Sequence, residues 1–145
     1  MTETFMTIIA GVGVFALSEW LKEVWLMPLQ EYKKLKSKVS YLLILHAQYY
    51  ANPIANLDLR EDEHEKASAS IRELAAELAA YAEIIPLFHA GIPNAKSVRK
   101  AAAELIGISN GFFASNEERI IDVSKHNSKA CDEVKKLLKL RGMVD

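Results

Sequence analysis

From Thr4 to Ser18 the chain runs through fifteen residues without a charge, Thr-Phe-Met-Thr-Ile-Ile-Ala-Gly-Val-Gly-Val-Phe-Ala-Leu-Ser. That run is shorter than the ~18 apolar residues that mark a transmembrane helix by themselves, but its flank extends it. Glu19, Trp20, Leu21, Lys22, Glu23, Val24, Trp25, Leu26 and Met27 follow, and they include both tryptophans of the protein. Tryptophan gathers where bilayer meets water, and a lysine can reach from the edge of the hydrocarbon to the headgroups. A helix from Thr4 to Met27 would be roughly 36 Å long, enough to cross a bilayer with residues to spare in each interface. Trp20, Trp25, Lys33 and Lys34 are therefore the expected membrane-interface residues.

Beyond Pro28 the pattern changes to alternating three- and four-residue spacing. Tyr32, Leu35, Val39, Leu42, His46 and Tyr49 form one seam, which Asn52-Pro53 ends because proline disfavours helix in the residue before it. Tyr41, Ile44 and Leu45 make the second half of this helix apolar on further faces, which predicts burial there, whereas Glu31 to Lys38 reads as a wet, charged stretch. A second amphipathic helix is predicted to start near Asn56 to Asp58, with acidic residues at the positive end of its dipole. Its stripe is Ala67, Ile71, Leu74, Leu78, Tyr81 and Ile85, and Pro86 and Gly91-Ile92-Pro93 stop it. A third runs from Asn94 to Phe113, with Val98, Ala101, Leu105 and Ile108 inward. Ser115-Asn116-Glu117-Glu118 reads as a capping box. The last helix, to about Arg141, buries Ile120, Val123, Cys131, Val134 and Leu138, and Gly142 suits its end. The fold class that follows is all-α. Residues 1–28 form a transmembrane anchor and 29–145 an antiparallel bundle of about four helices joined by short links.

Charge gives the anchor a direction. Only Glu3 precedes it, whereas Lys22, Lys33, Lys34, Lys36 and Lys38 follow, so the excess of lysine predicts the N-terminus outside and the helical domain in the cytoplasm. No basic stretch precedes the apolar run, which argues against a cleaved signal peptide. The same lysines lie where anionic headgroups attract them. The formal net charge of −1 argues against a general nucleic-acid binder. The single cysteine, Cys131, excludes an internal disulfide and reads as a small core residue.

One face of the anchor carries Thr4, Thr7, Gly11 and Ser18, and Glu19 and Lys22 extend it. Small residues in a row let helix backbones approach closely in lipid, which points to self-association, a homo-oligomer whose packing residues are these six. The charges of Glu19 and Lys22 have a second reading, in which they simply sit at the membrane surface.

The search for chemistry finds none that is complete. Glu61 and His64 make one Glu-x-x-His pair where a di-iron bundle needs two, and no zinc or Cys-x-x-Cys motif occurs. There is no nucleophile elbow, and His126, five residues before Cys131, lies well round the helix from it. Gly107-Ile108-Ser109-Asn110-Gly111 lacks the lysine of a phosphate loop and reads as close helix packing or a helix defect. Lys96, Arg99 and Lys100 would form an anion site with Ser109 and Asn110 only if the fold brought them together. The expected protein is non-catalytic and carries no cofactor or metal. It is a membrane-anchored, self-associating scaffold, sensor or membrane effector; the alternative is an anchored binding module that recruits a soluble protein or small anionic ligand.

Four stretches together resemble a bacterial family of short, single-pass, helical membrane proteins without assigned activity. They are Pro28-Leu29-Gln30-Glu31-Tyr32, Tyr49-Tyr50-Ala51-Asn52-Pro53, Ile84-Ile85-Pro86, and Glu104-Leu105-Ile106-Gly107-Ile108-Ser109-Asn110. The resemblance implies a bacterial inner-membrane location and no reaction.

Overall fold

The structure, a computed structural model, describes residues 2–54, 61–85, 91–113 and 119–140. Among these the chain is all-helical, apart from one isolated backbone bridge between Ile54 and Phe113. Helix α1 (Thr2–Leu21) leads through a π-helical turn, Lys22–Leu26, into α2 (Met27–Leu45), with no break in the helical backbone. A short α3 (Ala47–Ala51) follows, then α4 (Glu61–Ile84), α5 (Ala95–Asn110) and α6 (Ile120–Leu137).

Pro28 neither starts a separate helix nor breaks this one. Its ring would press on the carbonyl of Val24 in an ordinary α-helix, and it has no N–H to give. The π turn absorbs both problems: Met27 N–H reaches back five residues to the Lys22 carbonyl, which widens the helix just ahead of the proline. The helix long and apolar enough to cross a membrane therefore extends from Glu3 to Leu45.

The helical domain is built on the inward stripes of α2, α4, α5 and α6. Val39, Leu43, Ile71, Leu74, Leu78, Val98, Leu105, Ile108, Phe112, Val134 and Leu138 are all fully buried. Close approach between α4 and α5 follows from their small residues, Ala67, Ala75 and Ala82 on one and Ala101 and Ala102 on the other. Helices α2 and α4 run antiparallel: Tyr81 Oη donates to the Pro28 carbonyl at 2.8 Å, Lys38 meets Glu77, and Ser70 meets His46. At the end nearest α1, Tyr32 Oη donates to the carbonyl of Leu138 at 2.6 Å. Helix α5 starts on a side-chain cap, where Asn94 Oδ1 accepts from the Ser97 N–H at 2.8 Å, one of the donors a helix start otherwise leaves unpaired.

Several expectations need correction. The seam helix does not run to Asn52; it is interrupted at His46 (φ −100°, ψ 14°). The turn there lets Tyr49 and Tyr50 fold over the far end of the domain. Tyr41, Ile44 and Leu45 are 61%, 60% and 49% exposed rather than buried, because α2 lies at the edge of the domain and offers it only one face. On α6, Ile120 and Val123 are only partly buried. The packed stripe instead uses Asn127, Ala130, Cys131 and Val134. Asn56 to Asp58, Pro86, the Ser115 to Glu118 box, Arg141 and Gly142 lie outside the described residues.

Candidate functional site

The feature that sets this chain apart is α1, which no other part of the domain covers. Phe5, Met6, Ile8, Ile9, Val12, Val14, Phe15 and Leu17 are each more than half exposed, and no residue of its most apolar window is buried. Among the described residues the main contacts of α1 are with the π turn that follows it. Each such side chain gives up about 1.5–3 kcal/mol by staying in water rather than in an apolar medium. A contiguous apolar surface of this extent marks a place where something else belongs.

The six packing residues predicted from the sequence share one face of this helix, and their surroundings refine the prediction. Thr7 Oγ1 donates to the Glu3 carbonyl at 2.9 Å and Ser18 Oγ to the Val14 carbonyl at 2.5 Å. Both hydroxyls are thus satisfied within their own helix and create no demand for a polar partner in lipid. Thr4 adds to the stripe as a small side chain. A Cβ on Gly11 would meet nothing within 4 Å, so an open notch remains on this face. Lys22 and Glu19 form an ion pair at 3.5 Å, so each charge is at least partly matched by a neighbour on the same helix. Trp20 and Trp25 are 55% and 49% exposed, on the last turns of the apolar segment. Lys33 and Lys34 are exposed on the first turns of α2.

In the domain, the candidate groups named from the sequence sit apart from one another among the described residues. No three His, Cys, Asp or Glu side chains gather there as a metal site would need. His64, one half of the Glu-x-x-His pair, is buried with its ring 4.7 Å from that of Tyr49, edge to face. His46 Nε2 lies 2.9 Å from Ser70 Oγ, and burial lowers its pKa. Cys131 is buried with its thiol 3.8 Å from Tyr50 Oη, and burial raises the thiol pKa. His126 is exposed on the other side of α6. This is the environment of an inert core thiol.

The conditional anion site is not brought together. Lys96 to Lys100 and Ser109-Asn110 occupy opposite ends of α5, separated by about 15–20 Å at 1.5 Å per residue. Arg99 pairs with Glu83 at 3.1 Å and Lys100 with Glu133 at 2.7 Å. At the other end Arg72 donates to Ser109 Oγ and Asn110 Oδ1 at 3.2 and 2.9 Å. Of the two glycines there, Gly111 is the one that close packing requires. A Cβ on it would lie 2.0 Å from Oδ1 of the buried Asn127, while Gly107 has open space. Asn127 Nδ2 donates to the carbonyls of Tyr50 (3.1 Å) and Gly111 (2.7 Å), stitching α3, α5 and α6. That clasp is hard to read from sequence, since a mid-helix asparagine usually faces water.

Comparison with family models, with curated proteins and with solved structures gave no match.

Proposed function

We propose that the chain is a single-pass membrane protein whose α1 crosses a bacterial inner membrane. Its N-terminus lies outside, and an antiparallel helical bundle is held against the cytoplasmic face. The observation that carries this reading is the bare apolar surface of α1. From Phe5 to Met27 the continuous helix of α1, the π turn and the start of α2 covers about 34 Å, a little more than the ~30 Å hydrocarbon core. The tryptophans and Lys22 fall at one end of it, and the lysine excess lies beyond.

The role that fits is that of a non-catalytic, self-associating scaffold, sensor or membrane effector. The open notch at Gly11, flanked by Thr4, Thr7 and Ser18, supports close packing of two copies of α1. Because the hydroxyls are already satisfied, packing at Gly11 rather than hydrogen bonding drives this association. Crosslinking in native membranes tests it: wild type gives a crosslinked oligomer and Gly11→Leu loses it. A chain that stays monomeric in both forms overturns self-association. Alkaline extraction tests the anchor separately, since the protein then remains in the membrane pellet.

A second reading, an anchored module that recruits a soluble partner, is favoured by the exposed Tyr41, Ile44 and Leu45 on the outer face of α2. Tyr41→Ser together with Ile44→Ser would abolish such recruitment and leave α1 crosslinking intact.

A further inference from the structure

The fold gathers basic side chains from three distant parts of the chain onto the end of the helical domain nearest α1. We propose that this end is a docking surface for anionic phospholipid headgroups, so that the domain lies pressed on the cytoplasmic leaflet. The inference rests on the anchored reading above and goes beyond it by naming what the domain touches.

Contacts fix the level of each element. Tyr81 near the end of α4 bonds to the carbonyl of Pro28, one residue past the apolar segment. A Cβ on Gly91, ahead of α5, would lie 3.6 Å from the Leu29 side chain. The end of α6 is held by Tyr32 Oη on the Leu138 carbonyl, and Lys36 donates to the carbonyl of Lys139. The end of α4, the start of α5 and the end of α6 therefore all lie beside residues 28–36, within about 2–14 Å of the level of Met27. The headgroup layer is itself about 5–8 Å thick, and its field extends a further Debye length of about 8 Å.

Pairing decides which charges are left for a ligand. At this end Glu77 is bonded to Lys38, Glu83 to Arg99, Asp132 to Lys135 and Glu133 to Lys100, whereas the exposed Glu31 forms no salt bridge among the described residues. Lys33 and Lys34 on α2, Lys96 on α5 and Lys136 on α6 are exposed and form no salt bridge among the described residues. Four uncommitted cations thus surround the foot of one upright helix. Ile84, 63% exposed at the end of α4, adds an apolar side chain at the same level. The far end mixes both signs, with Asp62, Glu63 and Glu65 beside Lys66 on the first turns of α4 and with Lys125 and Lys129 on α6. Basic residues beside an apolar tip, at headgroup height, match the chemistry of an anionic leaflet.

Lysine acetylation footprinting on the full chain tests the surface. The protein is placed in lipid discs of phosphatidylcholine alone, or of phosphatidylcholine mixed with phosphatidylglycerol, and modification of each lysine is read by mass spectrometry. Lys96 and Lys136 are expected to react about fivefold more slowly in the anionic discs. Raising salt to about 0.5 M should remove the difference, and Lys66, Lys125 and Lys129 at the far end should react alike throughout. Equal labelling of Lys96 and Lys136 in both discs, or protection indifferent to salt, overturns this inference while leaving the anchor standing. A chain that enters neither disc overturns the anchored reading and this inference with it.

Discussion

Gly107 and Gly111 are one helical turn apart and face opposite demands, which makes them a matched test of the packing. A Cβ at Gly111 lands on the Asn127 amide, whose own hydrogen bonds hold it in place. Gly111→Ala should therefore cost about 1–3 kcal/mol through overpacking. Gly107→Ala meets open space inside α5 and should stabilise by about 0.5–1 kcal/mol. Denaturant unfolding in detergent reads both, and a shared sign would refute the packing described around Asn127. Tyr32 offers a second test. Burial, and next the nearby Tyr81, push its pKa up to about 12, while in the unfolded chain it titrates near the ordinary value of ~10. The phenol must lose its proton more easily unfolded than folded, so its contribution is whole below pH 10 and declines as the pH rises towards 12. Tyr81 behaves alike, raised to about 12 by burial and by Glu31. Stability measured against pH should fall over that window, and less steeply in Tyr32→Phe. The same substitution strips the Leu138 carbonyl of its donor, which should cost about 1–3 kcal/mol at neutral pH.

Among the helices, the stripes that were legible in sequence are those with one committed face. Ala67, Ile71, Leu74, Leu78 and Tyr81 on α4, and Val98, Ala101, Leu105 and Ile108 on α5, are buried as their spacing predicts. Spacing failed where a helix is apolar on more than one side. Nothing in Tyr41, Ile44 and Leu45 reveals that α2 stands at the edge of the domain, because that depends on where α4, α5 and α6 pack. The Asn127 clasp and the turn at His46 were hidden for the same reason, each depending on residues far off in sequence. The six residues proposed for the anchor's packing face share that face by spacing alone, yet only the coordinates reveal that Thr7 and Ser18 are satisfied at home. At Pro28 the sequence is compatible with the first turn of a new helix or with a kink in a continuous one, and the backbone ahead of it decides for a continuous helix with a π turn. If the π turn exists to relieve Pro28, then Pro28→Ala should let the Lys22–Leu26 turn tighten to α-helix. Amide exchange across Val24 to Leu29 should slow, because ordinary hydrogen bonds replace the widened ones. Unchanged exchange would show that the turn has another cause.

At the scale of the whole molecule, the chain divides into a core that packs on itself and a helix that does not. Because neither α1 nor the π turn packs extensively on α4, α5 or α6 among the described residues, removing residues 1–27 should leave the midpoint of thermal unfolding of the domain within a few degrees of its full-length value. Circular dichroism on the shortened chain checks this, and a collapse of the midpoint would mean that α1 supports the core directly. The unbroken backbone from Thr2 to Leu45 has a mechanical consequence. In the proposed membrane placement, with no flexible linker at the membrane surface, the helix would act as a lever whose fulcrum lies in the bilayer. Transmembrane helices lean to match hydrocarbon thickness, commonly by about 20°. Over the roughly 28 Å of α2, such a lean would swing the distal turn at His46 sideways by about 10 Å. On that placement the thickness of the lipid would become a coordinate of the domain's position, transmitted through a single continuous helix.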